Sequence, residues 1–472
     1  MLNRLVFIAA LILVFSSCRK DDQLLTDPGT LNFSADTVYF DTVFTRLPGT
    51  NYPRSINKRF MIRNPYKEKV NLNVTLMGGT SSPFKINVDG VTGRRINGVE
   101  ILGEDSAWVF VEASLDANNL LNPALVRDSI EFETNGNRQY VQLAAYGWDA
   151  YYFKDTVFKG TTNLVLKDKP YVIVNAVYVD DGATLNIGPG THFYATPNAV
   201  FVDTANKKYN ISSFNIFGTL NINGTKTDSV VFEGDRLDNT FQNKAGQWRG
   251  FHFYRGSINN TIQHAVIKNA TVGIWVDSLP ESGSRNLIIK NTTIKNMSAY
   301  GVLGLTAAIA IENSVIANCG ANTFIGYYGG DYLINNCTFY NGANGRRDPH
   351  VIFNNILRND NKQIIRTFDI SFNIQYSILW GPLDTEFGAD LTNDSKVLLA
   401  GLSFSLYKSK TDLGGSSNIR SKDPLFQDIS RLNLQLKAGS PAIGKANPVT
   451  ATLNDYHEKS RDASPDMGAY EF

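Results

Sequence analysis

The chain has 472 residues, 43% of them apolar and 19% charged, with 45 Lys and Arg against 44 Asp and Glu. That length supplies two or three separately cored domains. The near-zero net charge excludes an electrostatic nucleic-acid binder, and three cysteines exclude a disulfide framework.

The chain opens on MLNR, a basic start, then LVFIAALILVF and SSC. The apolar run is too short to span a bilayer and has the layout of a signal peptide. Its end resembles the lipobox of bacterial lipoproteins, with Phe15 where leucine is usual. The resemblance implies cleavage after residue 17, lipidation of Cys18, and a lipidated linker over residues 18–29. Arg19, Lys20, Asp21 and Asp22 resemble the export signal of Bacteroidota lipoproteins, which implies an outer-membrane location facing the cell exterior. Cys319 and Cys337 then remain, and two buried free thiols fit better than a lone bridge.

Residues 30–150 carry short alternating stretches, among them TVYFDTVF, KRFMIRN, VNLNVTL, SAWVFVEASL, DSIEFET and YVQLAAYGW. Period-two alternation between Gly, Pro, Asn and Asp clusters predicts an antiparallel β-sandwich. The segment resembles the immunoglobulin-like domains of secreted bacterial proteins, without the Cys, Trp, Cys arrangement of antibody domains, so only the broad sandwich class is implied.

Over residues 155–400 the pattern becomes short strands broken by glycine, and one phrase recurs: NTTIKN, NSVIAN, NCTFYN, NNILRN. Aligning Asn291, Asn313, Asn336 and Asn354, with His264 and Gln375 as variants, aligns two apolar columns. Ile262, Ile289, Ile311, Ile334 and Ile352 lie two places before; Ile267, Ile294, Ile316, Phe339, Leu357 and Ile378 lie three after. A unit of about 20 residues is a solenoid signal. Two inward residues five apart need a bend between them, and asparagine adopts a left-handed bend at small cost. Stacked coils would let these amides bond as a ladder. The region resembles the right-handed parallel β-helix superfamily of pectate lyases, rhamnogalacturonases and many surface proteins. Residues 401–472, with GSPAIG and DMGAYEF, resemble the closing segment of bacterial surface β-helices. Gly444 stands there where aspartate is usual. The expected fold is all-β: an N-terminal sandwich, then a right-handed parallel β-helix with a C-terminal cap over the solenoid's open end. A structural role in the cap is expected for Asp466 and Glu471.

The resemblance to polysaccharide enzymes implies that chemistry would sit on one outward strand face. GFHF, GIWV, GVLG and FIGYY place His252, Tyr254, Trp275, Leu303 and Tyr328 outward, and no carboxylate column accompanies them. His252, Tyr254, Trp275 and Tyr328 are the candidate ligand-binding residues, because sugars stack on aromatic rings. GRRDPH supplies the catalytic candidates Arg346, Arg347 and His350. A solvated surface better explains Lys268, Lys290 and Lys295 unless a neighbour perturbs them. Asp180 and Asp181 precede a glycine turn. No metal site is expected, and calcium enters only with lyase activity. The function expected is binding of a glycan or another surface component without catalysis. The alternatives are a lyase or hydrolase of acidic polysaccharide, and a structural subunit docking on an outer-membrane protein.

Overall fold

The computed structural model describes residues 23–472 apart from 48–56, 118–122, 166–167, 198–199, 203–207, 211, 281–282, 344, 393–395, 416 and 448–450. Cys18, the run before it and Arg19 to Asp22 lie outside the described residues. Two compact units meet at the Asp149–Ala150 boundary, and no α-helix occurs among the described residues.

The first unit is a sandwich of two five-stranded sheets. Alternation produces it directly: in Val70–Leu76 and Ser106–Ala113, Val70, Leu72, Val74, Leu76, Val109 and Val111 point inward at 0–1% exposure. Thr37–Phe44 pairs in parallel with Asn137–Trp148, Leu24 forms a parallel bridge to Lys69, and the other described strand pairings of this unit are antiparallel.

The second unit is a parallel β-helix in which three strand faces wind as one 25-stranded sheet. Each face buries one continuous column. On the first it runs Val177, Phe214, Phe251, Ile274, Val302, Phe324, Val351, Phe387. On the second it is Ile222, Ile262, Ile289, Ile311, Ile334, Ile374 and Leu402. The third carries Phe193, Phe232, Ile267, Ile294, Ile316, Phe339, Leu379 and Tyr407. The columns leave the expected alignment after Phe339. Ile352 points outward on the first face, and Leu357 belongs to a hairpin, Ile356–Arg358 with Ile364–Thr367. That hairpin interrupts the repeat, which resumes one residue out of phase, with Leu379 inward in place of Ile378.

Asn291, Asn313 and Asn336 do form the bend between the second and third faces, with φ of 46°, 46° and 49°, and His264 precedes them at 45°. Tyr376 and Phe404 continue the bend, in place of Gln375. Asn354 is not part of it: it ends a first-face strand and donates to Asp390 Oδ2 at 3.2 Å. The expected amide ladder is also reduced to a single rung, Asn291 Nδ2 to His264 Nε2 at 3.2 Å. Asn313 and Asn336 instead bond to the C-terminal segment, through Asn454 O and the Thr452 hydroxyl and amide. An amide ladder exists elsewhere, on the outer side of the second face. Asn186 donates to Asn163 (2.8 Å), Asn221 to Asn186 (3.0 Å) and Thr261 to Asn221 (3.0 Å).

Directly after the bend residues a buried column of Thr292, Ser314, Cys337, Ser377 and Ser405 stitches the coils. Each side chain donates to the carbonyl two residues back. Thr292, Ser314, Ser377 and Ser405 also accept an amide from the preceding coil. Cys337 is the one thiol among hydroxyls; it is free, takes the Ser314 amide, and is pushed up to about 12 by burial. Cys337→Ser should therefore stay within about 1 kcal/mol of the parent in urea denaturation. Cys337→Ala, which strands the Ser314 amide, should lose about 1–3 kcal/mol.

The C-terminal segment is seated along the outside of the third face. Phe426, Leu434, Met467 and Ala469 pack on Val315, Ile378 and Leu406, and Ala469 N donates to Thr338 Oγ1 at 3.0 Å. Arg461 and Glu471 form a buried ion pair at 3.0 Å. Asp466 accepts the Gly444 and Phe472 amides, each at 2.7 Å. Both acids thus hold the cap together.

Candidate functional site

On the first face, strand register puts Asn215, His252, Trp275, Leu303, Ile325 and Ile352 in one outward row. Neighbouring coils are one strand spacing apart, so flat side chains in a row stack. His252 lies 4.4 Å from Trp275 and 3.8 Å from Tyr254, and Tyr254 lies 4.3 Å from Phe217, all near parallel. Asp277 ties the stack together: Oδ2 lies 2.8 Å from His252 Nε2, and Oδ1 accepts Trp275 Nε1 at 2.7 Å. Tyr254 donates its hydroxyl to Asn215 Oδ1 at 3.3 Å. Asp277, two places after Trp275 on the same side of the strand, was findable from the alternation alone. Phe217 was not, because it lies beyond its strand.

The inner rings use their faces on one another and present edges. His252 Nδ1 is buried without a hydrogen-bond partner, and Nε2 is engaged by Asp277. Beyond Trp275 the row turns apolar and closes over itself, with Leu303 at 6% and Ile325 at 0% exposure beside Tyr300 and Tyr327. Tyr328 stands outside the row. It occupies the bend from first to second face, at φ 59°, and packs on Tyr327 and Phe368.

Of the loop candidates, Arg347 is exposed, but the Arg346 side chain is only 3% exposed and grips the fully buried Glu386 with both terminal nitrogens, at 2.9 and 3.0 Å. His350 is fully buried. Its Nδ1 lies 2.6 Å from Thr323 Oγ1, and burial, then the Arg346 charge, holds its pKa well below the usual range.

The third face carries the cluster that sequence alone did not assemble. Tyr194, Glu233, Lys268 and Lys295 share one outward row. Glu233 accepts from Lys268 Nζ at 2.5 Å and lies 2.7 Å from His192 Nε2. Burial pushes its carboxyl up, but the hydrogen bonds from His192 and Lys268 outweigh that and leave it below its ordinary value. Lys295 is lowered by burial first and by the Lys268 charge second. Among the described residues, no group of three or more His, Cys, Asp and Glu is placed to hold a metal ion.

No protein-family profile matches the chain, and no curated protein matches it. Among solved structures it is similar to a family 123 glycoside hydrolase from Clostridium perfringens, studied for glycolipid glycan hydrolysis. Identity there is 11% and the TM-score 0.19, over 28% of this chain and 30% of that one. The chain thus spans less than a third of that hydrolase. It is also similar to the Agl-KA catalytic domain, at 12% identity and a TM-score of 0.26 over 75% of each chain. At these TM-scores neither likeness bears on function.

Proposed function

We propose that the protein is a lipid-anchored lipoprotein of the outer cell surface whose β-helix binds a glycan or another surface component without catalysis. The stack Phe217, Tyr254, His252, Trp275, braced by Asp277, is the observation that carries the reading. Phe217, 36% exposed at the end of the stack, offers an apolar ring to the C–H face of a sugar. Against catalysis stand the engagement of His252 Nε2 by Asp277, the buried side chain of Arg346 and the full burial of His350.

One observation favours the rival lyase reading. Lys295 has the perturbing neighbour that a base requires, Lys268, and its pKa is lowered. Calcium would belong to that reading alone.

Retention on insoluble plant, algal and host polysaccharides, with and without calcium, and release of new chain ends test both. Expected is retention without cleavage, weakened about tenfold by Trp275→Ala, the scale of one lost aromatic contact. New chain ends abolished by Lys295→Met would replace binding with lysis.

A further inference from the structure

Between the outer side of the third face and the cap lies a cleft of about 590 Å³. It is remote in register from the first-face stack and lined by residues of different origin. Trp380 and Lys408 come from successive coils of the solenoid, whereas Asp423, Leu425, Ile429 and Lys437 come from the cap. The Lys408 ammonium sits 5.0 Å from the Trp380 ring centre, fixed by the Gly381 and Pro382 carbonyls at 3.0 and 3.2 Å. Across the cleft, Leu425 and Ile429 expose 38% and 53% of their surface.

Two features go beyond packing. Leu425 holds φ at 55°, a conformation costly for leucine, fixed by the Asp423 Oδ1 bond to its own amide at 2.8 Å. That bond holds the exposed Leu425 side chain at the rim of the cleft. The lining also balances two ammonium groups, Lys408 and Lys437, against two carboxylates, Asp423 and Asp428. A site of that composition has donors and acceptors for hydroxyls and no preference for a charged ligand.

We propose that this cleft is a binding site for a neutral pyranose, its C–H face against Trp380 and Leu425 and its hydroxyls shared between Asp423 and Lys437. The volume suits one or two sugar rings. The proposal rests on the glycan reading above but concerns a second site, one that would grip a sugar end where the first face contacts a chain.

The test is calorimetric titration of the full chain with glucose, galactose, mannose, cellobiose and maltose, and with glucuronate as the charged control. At least one neutral sugar should bind, with a Kd on the order of 1 mM, and glucuronate should bind no better. Trp380→Ala should weaken binding at least tenfold. Asp423→Asn, which keeps the acceptor for the Leu425 amide, and Lys437→Gln should each weaken it severalfold without lowering the melting temperature. Sugar binding unchanged in Asp423→Asn and Trp380→Ala overturns the cleft. Polysaccharide retention without binding of any small sugar overturns the cleft and leaves the first-face reading standing. Absence of both overturns both.

Discussion

Replacing Glu386 by glutamine should destabilise the β-helix by about 3–5 kcal/mol, the cost of leaving a buried guanidinium without its counter-charge. Arg346 has little alternative: its terminal nitrogens already donate to the Asp348 and Asn341 carbonyls at 3.1 and 3.0 Å, and the paired side chains are 3% and 0% exposed. Gly381 leaves the room, since a Cβ there would sit 2.1 Å from Glu386 Oε1. The double replacement Arg346→Met with Glu386→Leu should lose less than Glu386→Gln alone, because it removes both charges at similar volume. Chemical denaturation of the three proteins decides this, and a double variant worse than the single would mean the pair itself is a net source of stability. His350 adds a pH signature. Its folded pKa lies well below its unfolded value near 6.5, so below that pH the unfolded chain binds more protons and stability falls. His350→Asn should remove that part of the acid sensitivity.

The same network shows what the sequence made legible and what it hid. GRRDPH stood out as chemically dense, yet its meaning depends on Glu386, 40 residues on, which the coil path delivers to Arg346. Register across coils of unequal length decides such pairs, and sequence alone does not supply it. Local requirements were legible. Asn291, Asn313 and Asn336 were readable because a left-handed bend favours asparagine wherever it occurs. The column failed at Asn354, where the hairpin Ile356–Arg358 with Ile364–Thr367 interrupts the coil and nearby letters imitate the phrase. Outward alternation placed His252 and Trp275 correctly on one strand face. It did not show that stacking would consume their ring faces, since ring orientation is set by Asp277 and by the coil spacing. Tyr328 was misplaced because a strand that bends at a left-handed residue loses its parity there. The cap's address was hidden for a similar reason: its ending resembles that of other surface β-helices, but only packing on Ile378 and Leu406 puts it along a flank.

A second large effect is expected in the opposite direction. Asp235→Asn should stabilise the protein, and more at pH 8 than at pH 5. Asp235 opens the connection from the third face back to the first, directly after Gly234, whose backbone lies against the Gln247 side chain. Its Oδ1 is buried without a partner, and burial pushes its pKa up to about 7. Arg236 offsets this only in part, because its Nε is engaged by Asp238 at 3.1 Å and its guanidinium rests on Phe241 at 3.6 Å. The sign follows from proton counting. The folded pKa exceeds the unfolded one, so the folded chain binds more protons between them and stability is lost as pH rises through about 7. The ionisation penalty that asparagine avoids is at most about 4 kcal/mol at pH 8 and about 2 kcal/mol at pH 5. Denaturation of both proteins at the two pH values measures the difference directly. A gain of about 2 kcal/mol more at pH 8 establishes a carboxylate held against its own solvation, and equal effects at both would show it solvated. The position also adjoins the third-face cluster, since this connection begins two residues after Glu233, which His192 and Lys268 hold. Evolution tolerates such a cost where a site needs the group, so Asp235→Asn should be assayed for glycan retention alongside stability. A stabler protein that no longer retains glycan would move the binding surface from the first face to the third.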